Sequence, residues 1–589
     1  MNQQWKDGST EAAILDDISI DEPWALLEEF SQLSRLSGSE DEERAAKYIT
    51  SKLDEFGVGY QVHHPTTLIS LPGPATLKTL GEDGREYRVK TTAFSPNTGG
   101  EERTAELVYV PGQQVTSMTE LFGEQRNAAD IDLAGKVVMT EGLGIAARGF
   151  DLAESGAIAA LFINPGENIH EGITTTTWGS PDLDSDGRTA PIPILTINNP
   201  DGQELISKLS EGKVEVTFSN QVDTGWREIP VIVAEIKGNR QPEDFVLFHG
   251  HLDSWHVGIG DNATGDATLL ELARVFQKHQ DKLDRSLRIA WWSGHSHGRY
   301  AGSTWYADAY ALDLMANCVS HINCDSPGCR WATVYEGVSW MSEAEGFCQA
   351  VIRDVTGQDS SGEGHVLRAG DCSFNNLGIT TYFMLSSTMP DDLREEKGYY
   401  PVGGCGANIA WHTEDDTMEI ADRDNLLRDM KVYATAVFRS LNSPVAPFDY
   451  RATVTELSDA VNQYQGAAGE AFDFGESRAA LELLRLALND FYTSLAGGED
   501  AESADLRRAN AAQRAIGRTL VSLGYTRDGR FRQDPATAIP TLPDLAVARD
   551  LENATEHERH LIINSLVRGQ NRLVWETGQA AQIARQAAG

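Results

Sequence analysis

Apolar residues follow two different periods along this chain, and the changes of period divide it. Residues 23–57 carry the 3.6-residue spacing of amphipathic helix, broken at Ser37 to Glu40, with Ser39 placed to cap the second of two helices. From about 66 to 230 the pattern becomes short β-rich runs, AELVYV, GKVVMT, AALFIN and IPILTI, separated by Gly and Pro turns. From 231 to about 442 strands and helices alternate. VIVAEI, DFVLFHGHLDS, SLRIAWWSGH, CVSHINCDS and TTYFMLSS read as strands, and ATGDATLLELARVFQKH reads as a helix with Thr264 near its start. Beyond Pro447 the period is helical again in AALELLRLALNDFYTSL and in HERHLIINSLVRGQNRLVWETGQAAQIARQ. The polar segment 496–540 between them, with its Gly and Pro, reads as loop or linker. Such alternation predicts an α/β fold: a mostly parallel mixed sheet flanked by helices, with a β-rich insertion and a helical C-terminal region. The expected divisions are 23–65, 66–230, 231–445 and 446–589.

Charge narrows the partners. Among 589 residues, 49 Lys+Arg face 88 Asp+Glu, a net charge of −39. Nucleic-acid backbones and anionic membranes would repel such a chain. The first twenty residues lack the basic start and apolar run of a signal peptide, and no stretch reaches the roughly 18 apolar residues of a membrane helix. Six cysteines without a CxxC pair make neither a disulfide framework nor a zinc ribbon, so a cytoplasmic protein with reduced thiols is expected.

Ligands of open parallel sheets sit beyond the carboxyl ends of the strands. His251 and Asp253 end one predicted strand, His295 and His297 follow a second, and Asp325 ends a third. Asp261 lies in the loop GIGDNATG ahead of a helix, and His412 lies in WHTEDDT ahead of another. Neutral imidazoles with carboxylates suit a hydrolytic divalent metal, and a carboxylate in a Gly-flanked loop can bridge two ions. Asp253 is placed to hydrogen-bond the second ring nitrogen of a ligating His251 and fix its tautomer.

The segments GHLDSW, GDNATGDATLLELAR, NCD and WHTEDDT resemble the aminopeptidase, glutamate carboxypeptidase and transferrin receptor family of co-catalytic zinc peptidases. By this resemblance residues 23–65 would be the N-terminal helices of the peptidase-like domain, 66–230 an inserted protease-associated domain, 231–445 the metallopeptidase-like domain and 446–589 a dimerisation-like domain. One metal would take His251, Asp261 and Asp325, and the second would share Asp261 and take His412. Family enzymes carry a Glu-Glu pair after the third strand, one a general base and the other a ligand. Here the loop reads WWSGHSHGRYAGS, with His295-Ser296, or in another register Ser296-His297, in that slot. His295 is expected as the base, since imidazole exchanges protons near neutrality. His297 and Glu414, the latter with Asp415 beside it, are candidates to replace a ligand or the base. Arg299 and Tyr300, next to the altered motif, are candidates to bind a carboxylate or an oxyanion. Arg368 and Asp371 resemble the family's pocket segment, with a structural ion pair as the alternative. The Gly-rich loop STMPDDLREEKGYYPVGGCGAN, with Tyr399 and Tyr400, reads as a lid or as an ordinary surface loop, and its Cys405 as a candidate thiol. His256 reads as pocket wall or surface, and His249 as a core histidine.

The expected function is metal-dependent hydrolysis of a C–N bond in a small peptide or amide-like substrate, with one or two divalent ions, zinc by the resemblance, and a homodimer. The alternatives are a catalytically silent binding or scaffold protein of the same fold and a metal enzyme of another class.

Overall fold

The computed structural model describes residues 8–82, 84–112, 132–495 and 503–589. Its central sheet has six strands: β1 (Gly59–His63), β2 (Val231–Ile236), β3 (Gln241–His251), β4 (Arg285–Trp292), β5 (Cys318–Asn323) and β6 (Thr381–Tyr382). They lie in the order β1-β2-β4-β3-β5-β6. The β1–β2 and β2–β4 pairs are antiparallel, and β4–β3, β3–β5 and β5–β6 are parallel. Strand β3 carries the run Phe245-Val246-Leu247-Phe248, buried throughout, as a strand covered on both faces must be. The chain leaves β3 for β4 on one side and later β5 on the other, so the crevice beyond His251 is a topological switch point. The register aligns His251 with Trp292 and His249 with Asn323, which brings the loops after β3, β4 and β5 to one edge.

The helices sit where the apolar period places them. Helix Glu40–Phe56 starts at Ser39, whose side chain accepts the Glu42 N–H. Helix Thr264–Lys278 buries Leu269, Leu270, Leu272, Val275 and Phe276. One continuous core runs from Ile14 through the sheet to Ala584 in the final helix, Glu556–Ala588. Residues 66–228 build a second, eight-stranded sheet around the long antiparallel pair Thr66–Thr79 and Val214–Glu228. That sheet also contains four parallel strands, Arg103–Tyr109, Val137–Glu141, Ala159–Ile163 and Ile194–Ile197.

Two expectations are corrected. Within the segment read as linker, residues 503–525 form a helix, Ser503–Tyr525, while 496–502 lie outside the described residues. Its buried stripe, Ala509, Ala512, Ile516, Leu520 and Leu523, is helically spaced but starts with alanines, which give a weak apolar signal. The run TTYFMLSS contributes only Thr381–Tyr382 to the sheet. No helix among the described residues is long and apolar enough to cross a membrane.

Beneath the sheet edge, His249 and His321 stack at 5.3 Å and hydrogen-bond through Nε2 and Nδ1. His249 is the core histidine expected. Burial pushes His321 down to about 3. The folded state therefore binds fewer protons than the unfolded chain below the ordinary histidine value. The stability this confers is complete above that value and is lost as pH falls, by roughly 2 kcal/mol between pH 8 and pH 5. Chemical denaturation across that range should show a shallower acid loss in His321→Gln than in the parent, and equal slopes would contradict it.

Candidate active site

The loop after β3 is held from behind. Arg35, fully buried, donates from Nε to the Leu252 carbonyl, from Nη1 to Val257 and from Nη2 to Gly258, at 2.8 to 3.0 Å. These bonds fix the entry to the loop that carries Asp261. The exit is fixed by Asn262, whose Nδ2 donates to the Cys324 carbonyl at 2.9 Å while its Oδ1 accepts the Ser326 N–H at 3.0 Å. The loop after β3 is thereby stitched to the loop after β5. A methyl group on Gly265 would lie 2.5 Å from the Cys324 carbonyl oxygen and 2.2 Å from Asn262 Oδ1. Gly265→Ala should therefore cost about 1–3 kcal/mol in chemical denaturation and weaken zinc binding together, since it forces these two loops apart.

Asp261 stands at the centre. Its Oδ1 lies 2.9 Å from His251 Nε2 and its Oδ2 3.2 Å from His412 Nε2. Asp325 Oδ2 is 3.8 Å from the same His251 nitrogen. His251, His295 and Asp325 each bring one ligand atom within 4.8 Å of the other two. Ligand atoms about 2.1 Å from a tetrahedral ion stand roughly 3.4 Å apart, so the spacings among His251, Asp261, Asp325 and His412 fit a divalent ion, with His295 beside them. The electrostatics fit as well. Asp253, Asp261, Asp266, Asp325 and Asp416 are all buried at this edge, and both oxygens of Asp266 lack a hydrogen-bond partner among the described residues. Burial, with Asp261 as neighbour, pushes Asp325 up to about 6. So many buried acids call for positive charge.

The second nitrogens of His251 and His412 are satisfied by main chain. His251 Nδ1 donates to the Asp253 carbonyl at 2.8 Å, and His412 Nδ1 to the Glu171 carbonyl at 3.1 Å. Both bonds leave Nε2 facing Asp261, the arrangement a ligating histidine needs. Asp253 thus fixes the His251 tautomer as expected, but with its carbonyl. Its carboxylate, fully buried, takes the His295 N–H (3.0 Å), the Ser296 N–H (2.8 Å) and the Ser37 hydroxyl (2.8 Å). Burial alone would raise this carboxyl; the His297 contact and the nearby imidazoles hold it well below its ordinary range.

His295 donates from Nδ1 to Asp371 Oδ2 at 2.9 Å, and Ser303 donates to the other Asp371 oxygen at 2.6 Å. The His295 ring stacks on His251 with centroids 3.7 Å apart and planes 13° from parallel. A nitrogen lone pair lies in its ring plane, so two stacked rings do not aim at one point.

Several candidates are not in the cleft. His297 lies beneath it, fully buried, with Nδ1 3.0 Å from Ser37 Oγ and its ring against Trp255 at 4.2 Å. Glu414 turns outward to Arg88 (2.7 Å) and Lys90 (2.9 Å), and Asp415 to Asn168 (2.5 Å). Neither His297 nor Glu414 lines the cleft. Arg368 is spent on chain packing, donating to the Pro535 and Asp534 carbonyls and to Gln533. Asp371 reaches the site only through His295. Tyr400 bonds His170 at 2.7 Å and Tyr399 packs near Trp331, so neither lines the cleft. Cys405 is buried, and burial pushes its thiol well above the ordinary value, which removes it as a reactive thiol. His256 bonds Glu171 at 3.0 Å, at the rim. Arg299 and Tyr300 do line the cleft.

Other parts of the site were not foreseen. Asp416 accepts the Gly260 and Asp261 N–H groups at 2.6 and 2.9 Å and so holds the central loop; burial raises it to about 7. Glu171, Ile173, Thr175 and Thr176, from the second sheet's loops, form one wall, and Ala536 and Thr537, from the C-terminal region, another. Non-glycine residues in the left-handed region, His256, Arg299, Tyr300, Ser326, Cys405 and His412, gather in these loops. Such conformations cost of order 1–3 kcal/mol each and collect where function requires them.

Residues 231–437 match the model of peptidase family M28. The chain is 23% identical over 544 residues to a probable glutamate carboxypeptidase VP8 of Zea mays, spanning 76% of this chain and 72% of that one. It is 26% identical over 265 residues to leucine aminopeptidase 2 of Trichophyton equinum, spanning 42% of this chain and 46% of that one, less than half of that relative's length. Among solved structures, BSAP, a zinc aminopeptidase from Bacillus subtilis, shares the fold with a TM-score of 0.50 at 20% identity, over 72% of this chain and 96% of that one. The match over residues 231–437, together with the carboxypeptidase and aminopeptidase relatives, makes this chain similar to peptidase family M28 and supports a metallopeptidase-like hydrolase.

Proposed function

We propose that the cleft holds one or two zinc ions and that the protein hydrolyses a C–N bond of a small peptide or amide-like substrate with a base other than glutamate. The observation that carries this reading is the placement of His251 and His412 on the two oxygens of Asp261, with Asp325 beside His251. Zinc bound there would polarise the substrate carbonyl and acidify a bound water. The chain's own residues supply the rest. The loop from Ser293 to His297 contains no carboxylate. His295 occupies the place of the base. Its Nδ1–H is held by Asp371, which leaves Nε2 as the proton acceptor, and its stacking on His251 keeps it from sharing an ion with that ring. Asp371 and Asp253 are positioning residues: one sets the His295 tautomer and the other holds its backbone. Tyr300, wedged against Trp178 at 4.3 Å, shapes the substrate wall. Hydrolysis in a peptide and amide library, abolished by a chelator and restored by zinc, is the expected result. Turnover indifferent to chelation would overturn it.

The same reading places the protein in the cytoplasm as a homodimer. Six cysteines, all buried and free, suit a reducing compartment. Leu483 and Leu486 on helix Gly475–Leu495, with Leu561, Val567 and Trp575 on Glu556–Ala588, are exposed apolar residues of the C-terminal helices that a second copy would cover. Light scattering should return twice the chain mass, and a single chain mass would remove the dimer.

A further inference from the structure

Arg299 is a cation without an anion. No carboxylate among the described residues pairs with it, although the chain carries a net charge of −39. Of its N–H groups, one on Nη2 donates to the Ala536 carbonyl at 3.2 Å. Nε is buried without a partner. The guanidinium lies 5.4 Å from the centre of the Tyr300 ring, itself packed on Trp178, so the side chain is braced on one face and tethered at one end. It lines the cleft that Asp261, His295 and Asp325 and the apolar Ile173, Met384 and Leu385 also line. The neighbouring arginines differ: Arg35 and Arg368 each spend their donors on three protein acceptors.

Holding a guanidinium in a partly buried cleft without a counter-charge is costly, and a planar fork of N–H groups matches a carboxylate in two parallel bonds. From this we infer that Arg299 is the specificity-determining residue of the cleft and that the substrate is an amide bearing a carboxylate beside an apolar group. The bonded carbonyl would lie toward His295 and the zinc ligands, the carboxylate toward Arg299, and the apolar group against Ile173, Met384 and Leu385. This rests on the hydrolase reading for the bond that is cut, but the carboxylate site stands on Arg299 alone and is tested by binding.

The probes are hexanoate, phenylacetate and N-acetylleucine, each beside its uncharged amide. Binding is measured by calorimetry on zinc-loaded protein, on chelator-treated protein and on His251→Ala. Each carboxylate should bind roughly 10- to 100-fold tighter than its amide, and that preference should persist without zinc, since Arg299 rather than the metal supplies it. Arg299→Met should bring acid and amide to parity, and Arg299→Lys should keep part of the preference and show that the loop still folds. Equal binding of acids and amides by the parent, no binding of any acid, or a preference unchanged in Arg299→Met would each overturn the assignment. A preference that vanishes with zinc would assign the carboxylate to the metal and overturn it as well. If the preference holds while no amide is hydrolysed, the carboxylate site survives and the hydrolase reading fails.

Discussion

Replacing His295 by alanine should lower kcat by about 10²- to 10⁴-fold while leaving the zinc content of the protein unchanged. The two halves of that expectation come from separate observations. The loss follows from the Asp371–His295 pair, whose hydrogen bond from Nδ1 orients a free Nε2 at the edge of the ligand cluster. Retention of zinc follows from the stacked rings of His251 and His295, whose lone pairs lie in parallel planes and do not meet on one ion. Asp371→Asn keeps the shape and can no longer hold the imidazole as a carboxylate does, so it should cost less, about 10- to 100-fold. A His295→Ala protein that loses its zinc would make this residue a ligand, and unchanged turnover would remove it from the mechanism.

Asp261→Ala should be more severe still, abolishing both stoichiometric zinc and detectable hydrolysis. Asp261 contacts both ligand histidines through different oxygens, so its removal leaves His251 and His412 with no common carboxylate. Asp261→Asn offers one carbonyl oxygen and an amide that cannot ligate, and should retain at most weak binding. The supporting Asp416 makes a useful contrast: Asp416→Asn removes one acceptor of the two N–H groups that hold the Asp261 loop and should weaken zinc affinity by roughly 10- to 100-fold without abolishing it. Both are read by equilibrium dialysis against zinc with turnover measured alongside. Full zinc and full turnover in Asp261→Ala would contradict the bridging role.

The parts of this site that the sequence made legible are those fixed by strand ends. His251, Asp325 and the His295 loop follow from the run of apolar residues in β3, β4 and β5 and from the rule that loops after parallel strands share an edge. Ser39 as a cap and Thr264 as a helix start are equally local. The residues that escaped are those joined by distance along the chain. Glu171 holds His412 through its main chain from 241 residues away, and no local pattern announces it. Ala536 was hidden behind a helix whose buried stripe is rich in alanine. Asp416 was closer to legibility, because the acidic run WHTEDDT contains it. The sequence singled out its neighbours Glu414 and Asp415, which the turn after His412 directs outward. Tyr399, Tyr400 and His297 misled for the same reason in reverse: residue type and proximity suggested the cleft, whereas backbone direction sends Tyr400 to His170 and His297 beneath the loop.

Whether His251, Asp261, Asp325 and His412 hold a catalytic divalent ion is decided by elemental analysis of the exhaustively dialysed protein. The expected result is about one or two equivalents of zinc per chain in the parent and a loss in His251→Ala, with hydrolysis falling in step. Parent protein that carries no divalent ion after growth in zinc, and gains neither mass nor thermal stability when zinc is added, would contradict it.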